Sequence, residues 1–161
     1  EDGIRDVAVT GVQTCALPIL NPVKRAMEIA KAKGAKRAIL LPVSAPFHSS
    51  LMGPAAFRLK EALAKIDVRS LAIPVVHNID ARVRTHPDEI REALFGQADH
   101  PVRWTQCMMA MAATGVTHVY ECGPGKVLAP LSKRISAELQ GVALADKAGI
   151  EMGLQIHAQS S

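Results

Sequence analysis

Between residues 38 and 52 the chain changes texture abruptly, and that break limits the folds open to it. The apolar stretch Ala38-Ile39-Leu40-Leu41-Pro42-Val43 stops at Ser44-Ala45-Pro46 and gives way to Phe47-His48-Ser49-Ser50-Leu51-Met52. A short apolar run closed by small residues and proline reads as a buried strand, and the polar stretch after it as a loop. Loops carried on rigid elements are where catalytic groups concentrate. His48 is therefore the first candidate for a general base, since an imidazole exchanges protons near neutrality. A lone loop histidine is equally what an inert, hydrogen-bonded side chain looks like.

The flanking pattern alternates strands with helices. Asn21-Pro22 reads as an N-cap and first helical position, with Val23, Met27 and Ala30 on one face and Lys24, Arg25, Glu28 and Lys31 on the other. Gly34 reads as its stop, and residues 37–43 as a strand. A second helix is predicted over 54–66, burying Ala55, Leu59, Leu63 and Ile66, and then a buried strand over 71–76 leading to the turn His77-Asn78. Thr85-His86-Pro87-Asp88 opens a helix with Ile90, Ala93 and Leu94 inward. Another is predicted from Pro101, its Trp104, Met108 and Met111 stripe read as core. A strand over 116–122, the turn Gly123-Pro124-Gly125 and a helix over 126–139 follow. The tail from Gly141 is weakly patterned and expected to fray. Buried-type strands alternating with helices place the chain in the α/β class.

Composition removes several functions. Lys and Arg are interleaved with Asp and Glu and leave a net charge of only +4, which reads as solvated helix faces rather than a nucleic-acid surface. Such a mild positive field still favours acidic partners. Cys15, Cys107 and Cys122 are odd in number and show no C-x-x-C spacing, against a disulfide framework or a zinc site and in favour of a reducing cytoplasm. No apolar run approaches a membrane span. No basic start leads into an apolar segment, as secretion would need. His77, His86, His100 and His118 have no i, i+4 pairing, so no metal is expected.

Four blocks give a sharper reading. Pro42-Val43-Ser44-Ala45-Pro46-Phe47-His48-Ser49 with Leu51-Met52 comes first, then Ile73-Pro74-Val75-Val76-His77-Asn78-Ile79-Asp80. Gln97 with Pro101-Val102-Arg103-Trp104 follows, and Tyr120-Glu121-Cys122-Gly123-Pro124-Gly125-Lys126-Val127-Leu128 is last. In that order they resemble the malonyl-CoA:acyl-carrier-protein transacylase family of bacterial fatty-acid synthesis, over residues 20–135 and only its C-terminal portion. The resemblance implies a partial hydrolase-like α/β acyltransferase domain with a remnant of a ferredoxin-like small subdomain. It implies malonyl-CoA and acyl carrier protein as partners, no cofactor, and His48 as the catalytic base. It further implies that a backbone carbonyl at Gln97 holds the imidazole, and that Phe47 narrows the pocket beside the substrate's α-carbon to favour malonyl over methylmalonyl.

The family's serine sits on a G-x-S-x-G elbow, and no such motif occurs in this chain. Ser44, Ser49 and Ser50 lie too near His48 in sequence to replace it. The family's glutamine-bearing oxyanion loop and carboxylate-binding arginine are also missing, so the chain by itself is expected to be inactive. Residues 9–19 resemble an in-frame translation of a sequencing-library adapter, so residues 1–19 are expected to be non-native and to add nothing to the fold, the other reading being a genuine short strand over Val7 to Val12. Residues 20–43 then end the small subdomain, 44–140 belong to the large domain, and 141–161 are tail. Gly123-Pro124-Gly125 reads as a packing turn; the alternative is a non-catalytic α/β module that binds phosphate or a nucleotide there, with Lys126 beside a helix N-terminus.

Overall fold

Two parallel strand pairs, each joined by a helix, organise the chain. The computed structural model describes residues 6–12, 17–43 and 45–159, so Ser44 and Cys15 lie outside the described residues. Two compact units result, residues 1–66 with 94–101, and residues 67–93 with 102–161.

In the first unit β1 (Asp6–Val12) lies parallel to β2 (Arg37–Val43), from Asp6 opposite Arg37 to Val12 opposite Val43. Parallel strands need a crossover, and α1 (Leu17–Ala32) supplies it, packed on both strands. Residues 1–19 were expected to add nothing, yet β1 provides the whole ladder against β2. The β-branched residues Val7, Val9, Thr10 and Val12 favour an extended chain, and β2 offers it an edge. The start of α1 also differs from expectation: the helix opens at Leu17 and runs through Pro22, so Asn21 is not its cap. Pro22 forgoes one hydrogen bond, and the carbonyl it would have used lies in the first turn. Val23, Met27 and Ala30 are half-buried and Lys24, Arg25, Glu28 and Lys31 exposed, the two faces anticipated. Gly34 ends the helix at φ +94°, where a side chain would be strained, and Ala35 N donates to Ala30 O at 3.0 Å.

After β2 a single 3-10 turn (Ser50–Met52) leads into α2 (Gly53–Leu63). Of its predicted inward side chains only Leu63 is buried, joined by Ala56, while Leu59 and Ile66 are 38% and 52% exposed. Because α2 stops at Leu63, Ile66 never joins its face.

The second unit holds a short antiparallel pair, β3 (Val76–His77) with β4 (Arg82–Val83), then α3 (Pro87–Gly96), whose last turn belongs to the first unit, and α4 (Trp104–Ala113). The buried strand predicted over 71–76 is reduced to β3: Pro74 has no N–H for a ladder, and Ile73 is 76% exposed. Ile90 and Ala93 are buried as predicted, whereas Leu94 is not. The helix expected from Pro101 begins at Trp104, because Arg103 N is tied to Asn78 O at 2.9 Å. Met108 is fully buried, with Trp104 and Met111 half-buried beside it, so the stripe is core.

Next, β5 (His118–Glu121) and β6 (Gln140–Ala143) pair in parallel around α5 (Ala129–Ile135). The predicted helix over 126–139 is shorter because Pro130 belongs in a first turn and Ser136 is extended. The tail is instead built into a strand and a helix through Gln159. Val142 of β6 is buried, and α6 (Lys147–Gln159) packs on that strand, capped by Asp146, whose Oδ1 accepts from Gly149 N at 2.9 Å. Leu139 and Ser132 complete this core at zero exposure.

Candidate active site

The loop after β2 is braced by its own atoms. Ser49 Oγ donates to Pro46 O at 2.7 Å, and Met52 N to Ser49 O at 2.9 Å, so Ser49 is engaged in the turn. Between them His48 has φ +58°. A non-glycine residue in the left-handed region costs about 1–3 kcal/mol, and such residues cluster at functional sites. The strain turns the imidazole outward: His48 is exposed, and so is Phe47, at 45%. Phe47 is therefore not consumed by core packing.

The second half of the site comes from the turn that closes α3. There His48 Nδ1 lies 3.0 Å from the carbonyl oxygen of Gln97, forty-nine residues away in sequence and in the same compact unit. A carbonyl can only accept, so this bond puts the ring proton on Nδ1 and leaves the lone pair on Nε2. That is the tautomer a general base needs, with its reactive nitrogen free to face a hydroxyl. Sequence reasoning named both residues. It did not see that the Gln97 turn is itself held, with His100 Nδ1 2.9 Å from Gly96 O and 2.6 Å from Asp99 Oδ1.

The Gly123 turn, the other candidate, is already filled. Glu121 at the end of β5 reaches over the turn and accepts from Val127 N at 3.1 Å, Leu128 N at 3.0 Å and Ala129 N at 2.9 Å. These are the orphan donors that a phosphate at the start of α5 would use. The Ala129 N–H above all, with those of Leu128 and Val127, holds the Glu121 carboxyl below its ordinary range against the opposing effect of burial. Lys126 Nζ is paired with Asp146 Oδ2 at 2.6 Å, and that bond is the main reason the Asp146 carboxyl is also lowered. Gly123 takes φ +138°, a conformation for glycine, and a Cβ on Gly125 would stand 3.3 Å from Glu121 Oε1. The phosphate alternative is thus not favoured: the glycines let Glu121 close the turn. The signal was present in sequence, as an acid one strand-end before a glycine turn.

The remaining histidines are dispersed. Burial pushes the His77 imidazole below its ordinary value, with Arg84 adding to the effect and Asp80 opposing it. Cys107 Sγ lies 3.7 Å from His77 O, and burial raises its thiol pKa. Among the described residues no three His, Cys, Asp or Glu side chains gather to hold a metal ion. No described helix is long and apolar enough to cross a membrane.

The fold is mixed α/β, and the solved structures it resembles are acyltransferases. The acyl-carrier-protein S-malonyltransferase of Burkholderia pseudomallei 1710b is 54% identical at TM-score 0.79, over 83% of this chain and 43% of that one. A malonyl-transacylase solved in complex with its type II PKS acyl-carrier protein is 41% identical at TM-score 0.81, over 84% of this chain and 44% of that one. The malonyl CoA-acyl carrier protein transacylase of Escherichia coli K12 is 48% identical over 134 residues, 83% of this chain and 43% of the relative. No protein-family model matches. The chain belongs to the malonyl-CoA:acyl-carrier-protein transacylase family, and it spans less than half the length of these relatives.

Proposed function

We propose that this chain is the base-bearing part of an enzyme that moves a malonyl group from malonyl-CoA to the phosphopantetheine thiol of acyl carrier protein, in fatty-acid synthesis. The observation that carries the proposal is the bond between His48 Nδ1 and the Gln97 carbonyl. His48 Nε2 takes the proton of a serine hydroxyl as its oxygen attacks the thioester carbonyl. The tetrahedral adduct collapses, and the departing coenzyme A sulfur recovers that proton from His48. Acyl carrier protein then reverses the sequence with its own thiol. Gln97 acts through its main chain, in place of the acid that usually orients such a histidine. Phe47, exposed beside the base, limits the space at the malonyl α-carbon.

The serine, the oxyanion donors and an arginine for the malonyl carboxylate come from elsewhere in the parent protein, since no G-x-S-x-G occurs among these 161 residues. Proton transfer and acyl exchange of this kind call for no cofactor. The thiols and the substrates suit a reducing cytoplasm. The test joins this chain to the N-terminal portion of the Escherichia coli relative and supplies labelled malonyl-CoA. The fusion is expected to hold label as a serine ester and pass it to acyl carrier protein, and the chain alone to hold none. Stable label on the chain alone, or an unlabelled but folded fusion, would overturn the proposal.

A further inference from the structure

We propose that His100 is a positioning residue that aims the Gln97 carbonyl at His48, a role that rests on reading His48 as the base. Three consecutive carbonyls where α3 ends accept three different donors. Phe95 O takes Ala98 N at 3.1 Å, Gly96 O takes His100 Nδ1 at 2.9 Å, and Gln97 O takes His48 Nδ1 at 3.0 Å. Helix ends leave such carbonyls without intrahelical partners, and a histidine side chain is one of the groups that fills the vacancy. Peptide planes are rigid and only two soft torsions separate one from the next. Pinning the carbonyls of Phe95 and Gly96 therefore removes most of the freedom of the plane that carries Gln97 O.

The clamp is itself oriented. Both neighbours of His100 Nδ1, Gly96 O and Asp99 Oδ1 at 2.6 Å, are acceptors, so the proton sits on Nδ1 and the carboxylate keeps it there. His100 is 59% exposed at its side chain, so core packing does not account for its placement. From the other side, the Lys60 ammonium of α2 lies 5.0 Å from the centre of the Phe95 ring and ties the same turn to the helix that follows the His48 loop. All of these groups belong to one compact unit. His100 touches neither His48 nor substrate in this arrangement. It acts through two adjacent peptide planes.

Nitrogen-15 spectra of the imidazole rings in the 161-residue chain test this, because they report directly which nitrogen of His48 carries the proton. The wild-type chain is expected to hold His48 mainly as the Nδ1–H form. In His100→Ala the ratio of Nδ1–H to Nε2–H should fall by up to about tenfold, the range one hydrogen bond can bias. His100→Asn, whose amide can donate to the same carbonyl, should recover part of it. Should His100→Ala lose its folded signals, Asp99→Asn is read instead and should shift the ratio in the same direction. An unchanged ratio in a folded His100→Ala or Asp99→Asn chain would overturn the positioning role. A wild-type His48 found mainly as Nε2–H would overturn the His48–Gln97 reading itself, a result distinguishable from the first. In the fusion with the N-terminal portion of the relative, His100→Ala should lower kcat and leave KM in place. A loss of stability alone, with kcat intact, would make His100 a simple helix cap.

Discussion

Two strand-to-helix junctions in this chain look alike in sequence and do opposite things. After β2 the chain turns through Pro46-Phe47-His48-Ser49 into α2, and after β5 it turns through Gly123-Pro124-Gly125 into α5. The second has the glycines, the lysine and the helix start that suggest an anion site. Its donors are nevertheless satisfied internally, by Glu121 on three backbone N–H groups and Asp146 on Lys126. The first has no glycine at its strained position and holds His48 at φ +58°, with Nδ1 on the Gln97 carbonyl. Internal satisfaction marks the Gly123 turn as structure. Strain at an exposed histidine is what supports the proposal of a site at the His48 turn.

The largest change in selectivity should follow from opening the first junction. In the fusion with the N-terminal portion of a relative, Phe47→Ser should raise methylmalonyl transfer relative to malonyl on the order of tenfold, about the worth of one methyl group in a pocket. An unchanged ratio in a folded protein would reduce Phe47 to a surface side chain. A smaller effect concerns the strand that delivers the loop. Deleting residues 1–19 removes the seven-residue partner of β2 and should lower the Tm. An unchanged melting curve would mean that the adapter-like segment carries no part of the fold.

The smallest effect is expected at the Gly123 turn. Glu121→Gln keeps the shape but weakens the acceptors, and should lower the Tm modestly near neutral pH. The Glu121 carboxyl is held below its ordinary pKa in the folded chain, so its contribution is complete above the unfolded value. It is lost as the pH falls through the lowered folded value. The difference in Tm between wild type and Glu121→Gln should therefore shrink in acid. Inorganic phosphate should leave the wild-type Tm where it is, and clear stabilisation by phosphate would erase the contrast between the junctions.

Local patterns in sequence were enough for the two faces of α1 and for the loop that carries His48. Val23, Met27 and Ala30 share a face at helical spacing, and Gly34 stands where a helix must turn left-handed. What escaped was decided by partners distant in sequence or by short elements. The apolar stretch before His77 reads as a strand, but Pro74 breaks its ladder and only Val76–His77 finds a partner in Arg82–Val83. Gln140–Ala143 is too short and glycine-containing to announce itself, and its place is set by Glu121 opposite Ala143. Asp146 ahead of α6 was a legible cap that the weak pattern around it obscured. At the site, residue types suggested His48 by itself, whereas Gln97 was reachable only through family resemblance. A backbone carbonyl has no signature in the side chain that carries it.

That last point makes the account testable at one step, the pre-steady-state acylation of the fused enzyme by malonyl-CoA in three forms. His48→Ala removes the base and should slow acylation about 10²–10⁴-fold. Gln97→Ala keeps the main-chain carbonyl and should acylate close to the wild-type rate. If the His48→Ala enzyme acylates normally, His48 is not the base. If Gln97→Ala is as damaged as His48→Ala in a folded protein, the carbonyl is not what holds the imidazole.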